Sequence, residues 1–194
     1  MLENLKNKTI ILASQSERRR ELLQMIGINF RVEVIPDLNE NYPKNINIFE
    51  VPIYLANQKQ EAYKHLWNLT NHIVITADTI VSLDNEIIGK PTDKNDARKM
   101  LAKLSGKTHL VITGTSIKSR NKTEEFCATT SVSFRPLTKK IIDYYVDNYN
   151  TLDKAGAYGI QDWIGLTSIS GIDGSYYNVM GLPIDKLFHH LKKF

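Results

Sequence analysis

Asp78 interrupts the apolar run Ile73-Val74-Ile75-Thr76-Ala77-Asp78-Thr79-Ile80-Val81. A carboxylate inside such a strand is costly unless it is paired, hydrogen-bonded or bound to a metal. A structural ion pair is one reading and a functional carboxylate the other. The second is favoured because the chain also supplies cations with no evident structural partner. Arg18, Arg19 and Arg20 stand together where a helix should begin, although cations belong at a helix C-terminus. Leu22, Leu23 and Ile26 form the apolar stripe of that helix. Arg18 lies one turn before Leu22 and Arg19 one turn before Leu23, so both extend the buried face, while Arg20 stacks over Gln24 on the polar side. A strand-to-helix turn with free N–H groups already favours anions. The plainer reading is a solvated basic first turn.

Lys59 repeats the anomaly. Leu55, Lys59, Ala62 and Leu66 share one helical stripe, so the lysine either snorkels to water or faces a ligand. Lys90 lies in Ile88-Gly89-Lys90-Pro91, a turn just after a strand, where an exposed lysine is the commoner explanation. The net charge of +4 suits an anionic ligand and does not require nucleic acid.

The elements that must hold these groups follow from periodicity. Lys8 to Ala13 reads as a strand, Glu17 to Ile26 as a helix stopped by Gly27, and Phe30 to Val34 as a second strand. Pro36 to Asn47 reads as a loop, and a helix runs from Pro52 to about Trp67. Ile73 to Leu83 is an apolar strand, turned at Asp84-Asn85 into Glu86 to Ile88. Asp93 to Leu104 is a helix, and Thr108 to Lys118 with Glu124 to Phe134 form a hairpin. Thr138 caps a helix to about Tyr149. A glycine-rich segment, Asp153 to Gly181, precedes a last helix from Pro183. Strands and helices in this mixed order predict an α/β protein with a mixed sheet flanked by helices.

Composition narrows the class. The chain has 194 residues, 42% hydrophobic and 24% charged, with net charge +4, which predicts one globular domain, with two small lobes as the variant. The charge is spread along the chain without interleaved aromatics, which argues against nucleic acid as partner. The single cysteine, Cys127, excludes an internal disulfide framework and a cysteine-based zinc cluster, and fits a reducing cytosol. Met1 to Ser14 has too short an apolar run for a signal sequence, and no stretch is long enough to span a membrane, so a cytoplasmic protein is expected.

Taken together, several motifs resemble the Maf family of nucleoside triphosphate pyrophosphatases. They are Leu12-Ala13-Ser14-Gln15-Ser16 with Arg18-Arg19 and Glu21-Leu22-Leu23, Ala77-Asp78-Thr79, Gly89-Lys90-Pro91, Leu104-Ser105-Gly106-Lys107-Thr108-His109, and Asp153-Lys154-Ala155-Gly156-Ala157-Tyr158-Gly159-Ile160-Gln161. They occur in family order across nearly the whole chain. Thr79, Arg19 and the AGAYGIQ form resemble the branch acting on dTTP and UTP. The resemblance implies an inosine-triphosphatase-type fold with a central cleft over residues 1–194, a divalent metal (Mg2+ or Mn2+) and a homodimer. It gives catalysis to Asp78, base selection to Arg19, Thr79 and Gln161, phosphate contacts to Ser14, Arg18, Lys59 and Lys90, and metal ligation to Glu40 and Asp78. Glu17 stands where the family pattern has proline, and it is expected to pair with a neighbouring arginine.

Water attacking an α-phosphorus needs charge neutralisation and positioning. Asp78 would hold the metal or take the water's proton, and the sequence leaves both roles open. The Gln161 amide can donate to O4 and accept from N3–H of uracil or thymine at once. A nucleotide-sensing regulator of cell division that needs no turnover is the rival reading. Asp78, Lys90 and Gln161 occurring together favour catalysis. His109 reads as a hydrogen-bonded structural histidine, His189-His190 as exposed, Tyr144, Tyr145 and Tyr149 as packing on the sheet, and Cys127 as a strand packing residue.

Overall fold

A computed structural model describes residues 2–36, 38 and 40–194. The elements in chain order are β1 (Thr9–Leu12), α1 (Glu17–Met25), β2 (Phe30–Val32), α2 (Val51–Ala62), α3 (Lys64–Trp67), β3 (His72–Leu83), β4 (Glu86–Ile88), α4 (Lys94–Leu104), β5 (Thr108–Ser119), β6 (Lys122–Phe134), α5 (Lys139–Asn148), α6 (Trp163–Ser168), β7 (Ile169–Asp173), α7 (Tyr176–Met180) and α8 (Ile184–Leu191). The seven strands form one sheet in the order β2-β1-β3-β5-β6-β7, with β4 on β3. β1 runs parallel to β2 and β3, while β4 on β3 and β7 on β6 are antiparallel. The predicted mixed sheet flanked by helices is what forms.

The chain divides into two compact units. The first holds the residues up to Asp78, Thr113–Ala128 and Gly181–Phe194, and the second Thr79–Ile112 and Thr129–Met180. The first unit contains a core of Ile11, Ala13, Tyr63, Trp67 and Val74, against which Ile35 and Leu38 of the loop after β2 pack. In the second, Val81, Leu83, Ala97, Leu101, Leu104, Val132, Tyr145 and Ile164 are among the buried residues, drawn from β3, β6 and the helices α4, α5 and α6.

Three local departures from the sequence reading have physical causes. The helix expected from Pro52 to Trp67 breaks at Tyr63, whose N–H turns back to Gln60 O. There the Tyr63 hydroxyl is drawn to the loop after β2, accepting from Ile35 N at 2.9 Å and donating to Glu33 O at 3.1 Å. The glycine-rich segment carries α6, β7 and α7. Their short spans and small residues give too little periodicity to read. Tyr144 is exposed at the surface edge-on to Trp163, whereas Tyr145 is fully buried and stacks on Tyr149.

Candidate active site

In the first unit, register brings the start of α1 beside β3. Leu12 pairs with Ile75, and Ala13 N donates to Ile75 O at 2.9 Å. Asp78, three residues further along β3, therefore lies level with the turn that opens α1. Ser16 caps that helix by accepting from Arg19 N. Ser14 Oγ accepts from Ser16 N at 3.2 Å and from an Arg19 Nη1 at 3.4 Å.

Arg19 turns inward as the stripe predicts, and its guanidinium meets backbone carbonyls. Nε donates to Gly181 O at 2.7 Å and Nη1 to Ala77 O at 2.8 Å. Burial pulls its pKa below the usual arginine range, the Asp78 charge opposes this, the neighbouring Arg18 adds to the lowering, and Glu40 opposes it. An arginine stays protonated even so. Arg18 is half-buried in the same first turn. Arg20, expected in solvent, is only half-exposed, and its Nε is enclosed without a hydrogen bond to a described residue. Long cationic side chains commonly bury their stem while the charged head stays in water. Glu17 is exposed, and the expected pairing with an arginine is not made among the described residues.

β3 and α2 meet through two matching periodicities. Thr76 and Asp78 are two apart and share a strand face, while Ala56 and Lys59 are three apart and share a helix face. Thr76 Oγ1 donates to Ala56 O at 2.8 Å, and Lys59 Nζ donates to Asp78 Oδ1 at 2.5 Å. The same ammonium lies 2.8 Å from Glu40 Oε1. Lys59 and Asp78 are largely enclosed, with side chains 13% exposed each, while Glu40 is 47% exposed. Asp78 Oδ2 makes no hydrogen bond to a described residue.

Two residues without a role in the sequence reading hold α2 at this distance. Gln60 Nε2 donates to Val74 O at 2.9 Å and to Ser116 O at 3.0 Å, tying α2 to β3 and β5. Gly114 of β5 lets the helix start approach the sheet backbone. A Cβ there would lie 2.3 Å from Ile53 N and 2.4 Å from Pro52 C. A glycine inside a strand signals close backbone approach and was the available clue.

The remaining predicted residues belong to the second unit. Thr79 follows Asp78 in β3, so its side chain takes the opposite face of the strand. Lys90 is exposed in the turn after β4, and Gly89 O of that turn accepts from Gly156 N at 3.0 Å. The turn is thus tied to the loop that carries Gln161. Gln161 is half-buried, and its Oε1 is enclosed with no hydrogen-bond partner among the described residues. Ionic and polar contacts in this loop involve Lys154, Asp162 and Tyr145, of which the sequence reading gave none a part in the site and read Tyr145 as packing alone.

His109 fills the structural role expected of it. It is 1% exposed, its Nε2 lies 2.7 Å from Tyr158 Oη, and its ring stacks on Phe134. Burial lowers its pKa to about 4. His190 departs from expectation: half-buried, it stacks on Phe126, and its Nδ1 lies 2.9 Å from Glu124 Oε2. Cys127 is half-buried on β6. No group of three or more His, Cys, Asp or Glu side chains converges on one point among the described residues, and no helix there is long and apolar enough to cross a membrane.

A central strand and a helix that bring together a largely enclosed carboxylate and a lysine, with a second carboxylate from a loop, beside an anion-favouring helix start define a protein that handles charged small molecules. The chain is a member of the Maf-like protein family, whose model matches residues 9–194. It is 49% identical over 193 residues to a dTTP/UTP pyrophosphatase of Phocaeicola vulgatus, covering 100% of both chains. It is 47% identical over 195 residues to a dTTP/UTP pyrophosphatase of Porphyromonas gingivalis, covering 100% of this chain and 98% of that one. Among solved structures, the Staphylococcus aureus Ham1 protein matches 66% of this chain and 72% of its own at 20% identity, with a TM-score of 0.45.

Proposed function

We propose that this protein hydrolyses dTTP and UTP at the α–β phosphoanhydride, releasing pyrophosphate and the nucleoside monophosphate, in the cytoplasm. The observation that carries the reading is the Lys59 ammonium held between Asp78 and Glu40, with Asp78 Oδ2 making no hydrogen bond to a described residue. The names of relatives that match end to end supply the substrate class. Pyrophosphate release requires water to attack the α-phosphorus of a strongly anionic substrate, so positioning and charge neutralisation dominate. In this reading Asp78 Oδ2 accepts the proton of the attacking water. Lys59, Arg18 and Lys90 neutralise the phosphates, and Ser14 donates its hydroxyl to them.

A divalent cation fits the donor set. Glu40 and Asp78 would hold it, since Lys59 shows that their oxygens already converge on one positive charge. Two protein carboxylates, with substrate phosphates and water completing the shell, match the habits of Mg2+ better than an all-protein cage would. When bound, such an ion would neutralise developing phosphate charge.

For the base, the enclosed Gln161 Oε1 is an acceptor in want of a donor. N3–H of uracil or thymine supplies one, whereas N3 of cytosine is itself an acceptor. Arg19 and Thr79 complete base selection in this reading. The test is pyrophosphate and monophosphate release over dTTP, UTP, CTP, dGTP and 7-methyl-GTP, with Mg2+, Mn2+ or chelator. Metal-dependent release from dTTP and UTP ahead of the others is expected, and no release from either overturns the reading.

A further inference from the structure

We infer that Asp162, held by Tyr145 and Lys154, is a positioning residue for Gln161, and that this trio sets how sharply the protein separates uracil and thymine from cytosine. The inference rests on the proposed base contact of Gln161. Its support is the way both neighbours of Gln161 are fixed. On one side, Asp162 Oδ2 accepts from the Tyr145 hydroxyl at 2.6 Å, and that same hydroxyl accepts from Gly159 N at 3.1 Å. Lys154 Nζ lies 3.7 Å from Asp162 Oδ2, is bonded to Asp153 Oδ1 at 3.0 Å and donates to Asn150 O. Lys154 and Tyr145 are both buried. On the other side, Ile160 is buried beneath α6, where a Cβ on Gly165 would lie 1.9 Å from Ile160 O.

The loop between these anchors has little freedom to relax. Gly156 and Ala157 both have left-handed backbone, at φ 70° and 61°, and a non-glycine residue accepts that conformation only where its surroundings impose it. Gly159 lies so close to Asp162 that a Cβ would stand 2.6 Å from Oδ2. Asp162 O accepts from Gly165 N and Leu166 N, so the residue after Gln161 also starts α6. Gln161 therefore stands between two fixed backbone points with its side-chain acceptor enclosed and without a hydrogen-bond partner among the described residues. An amide free to rotate serves uracil and cytosine alike, because it can present either its donor or its acceptor. Holding its backbone fixes the point from which that amide reaches the ring, and a polar group held at one point discriminates better than one on a mobile loop.

Tyr145→Phe tests this, since it deletes the hydroxyl that joins Gly159 to Asp162 while keeping the buried ring. The measurement is kcat and KM for UTP and CTP with wild type and variant. Wild type must prefer UTP; failure there overturns the proposed function rather than this inference. Given that preference, the UTP-over-CTP ratio of kcat/KM should fall about tenfold in Tyr145→Phe, mainly through a lower KM for CTP, with kcat on UTP within about threefold of wild type. Asp162→Asn keeps an acceptor for Tyr145 but loses the charge facing Lys154, so it should retain more of the ratio than Tyr145→Phe and less than wild type. A structural role alone would lower both substrates together. An unchanged ratio in folded Tyr145→Phe overturns the inference. If that variant does not fold, Lys154→Met gives the same reading, because it loosens Asp162 and leaves the Tyr145 hydroxyl in place.

Discussion

Lys59 Nζ lies 2.5 Å from Asp78 Oδ1, and this contact joins the last turn of α2 to the carboxylate that interrupts the apolar run of β3. Asp78→Asn preserves the shape and an acceptor for Lys59 but removes the ability to take a proton. Turnover of UTP should fall by roughly 10²–10⁴, while calorimetric affinity for the triphosphate stays within about threefold. Turnover at the wild-type rate would remove Asp78 from the chemistry.

Lys59→Met leaves Asp78 and Glu40 facing each other without the cation they now share. Two like charges at one point raise the demand for a counter-ion. Mn2+ binding in the absence of nucleotide, followed by electron paramagnetic resonance, should tighten by about fivefold or more, while turnover falls. Unaltered Mn2+ affinity would show that the two carboxylates do not share a cation.

Gly114→Ala forces its methyl against the Pro52-Ile53 backbone at the start of α2. Backbone cannot yield as a flexible side chain can, so a loss of about 3 kcal/mol in urea unfolding is expected, at the upper end for overpacking. The shift should also carry Lys59 away from Asp78 and lower turnover more than the loss of folded protein explains. A stability change below about 0.5 kcal/mol would show that the sheet and α2 can part freely.

Gln161→Ala removes the enclosed acceptor altogether. The UTP-over-CTP ratio should approach unity while pyrophosphate release continues, because the phosphate-facing residues are untouched. Retained discrimination in a competition assay would move base selection to Arg19 and Thr79.

The charge anomalies were legible because each broke a periodic rule: Asp78 a strand, Lys59 a helix stripe, Arg19 a helix start. The Arg19 reading was legible only in direction. Its inward turn follows from Leu22 and Leu23, but two of its partners, Ala77 O and Gly181 O, are backbone atoms that no side-chain pattern announces. Glu40 lies in an aperiodic loop, so no period points it at Lys59, and the bonds from Tyr63 to Glu33 and Ile35 after β2 are likewise contacts made at long range in sequence. The Tyr145–Asp162 bond was hidden for the same reason, and β7 because five residues with two polar neighbours do not declare a strand.

His109 gives a pH dependence whose sign follows from its burial. Folding lowers its pKa from 6.5 to about 4, because the site between Phe134 and Tyr158 disfavours the charged ring. Between those values the unfolded chain binds a proton that the folded chain refuses. Stability is therefore whole above about pH 6.5 and is lost as pH falls toward 4, by about 3 kcal/mol if no other group compensates. Glu124, whose pKa is lowered to about 2 chiefly by its hydrogen bond from Lys193, contributes stability above its ordinary value of 4.5 and loses it only below that. The two windows separate. Urea unfolding between pH 7 and 5 should thus report mainly His109, and His109→Phe should flatten the curve there while leaving the fall below pH 4.5 in place. A curve of unchanged slope in that variant would assign the loss to other groups.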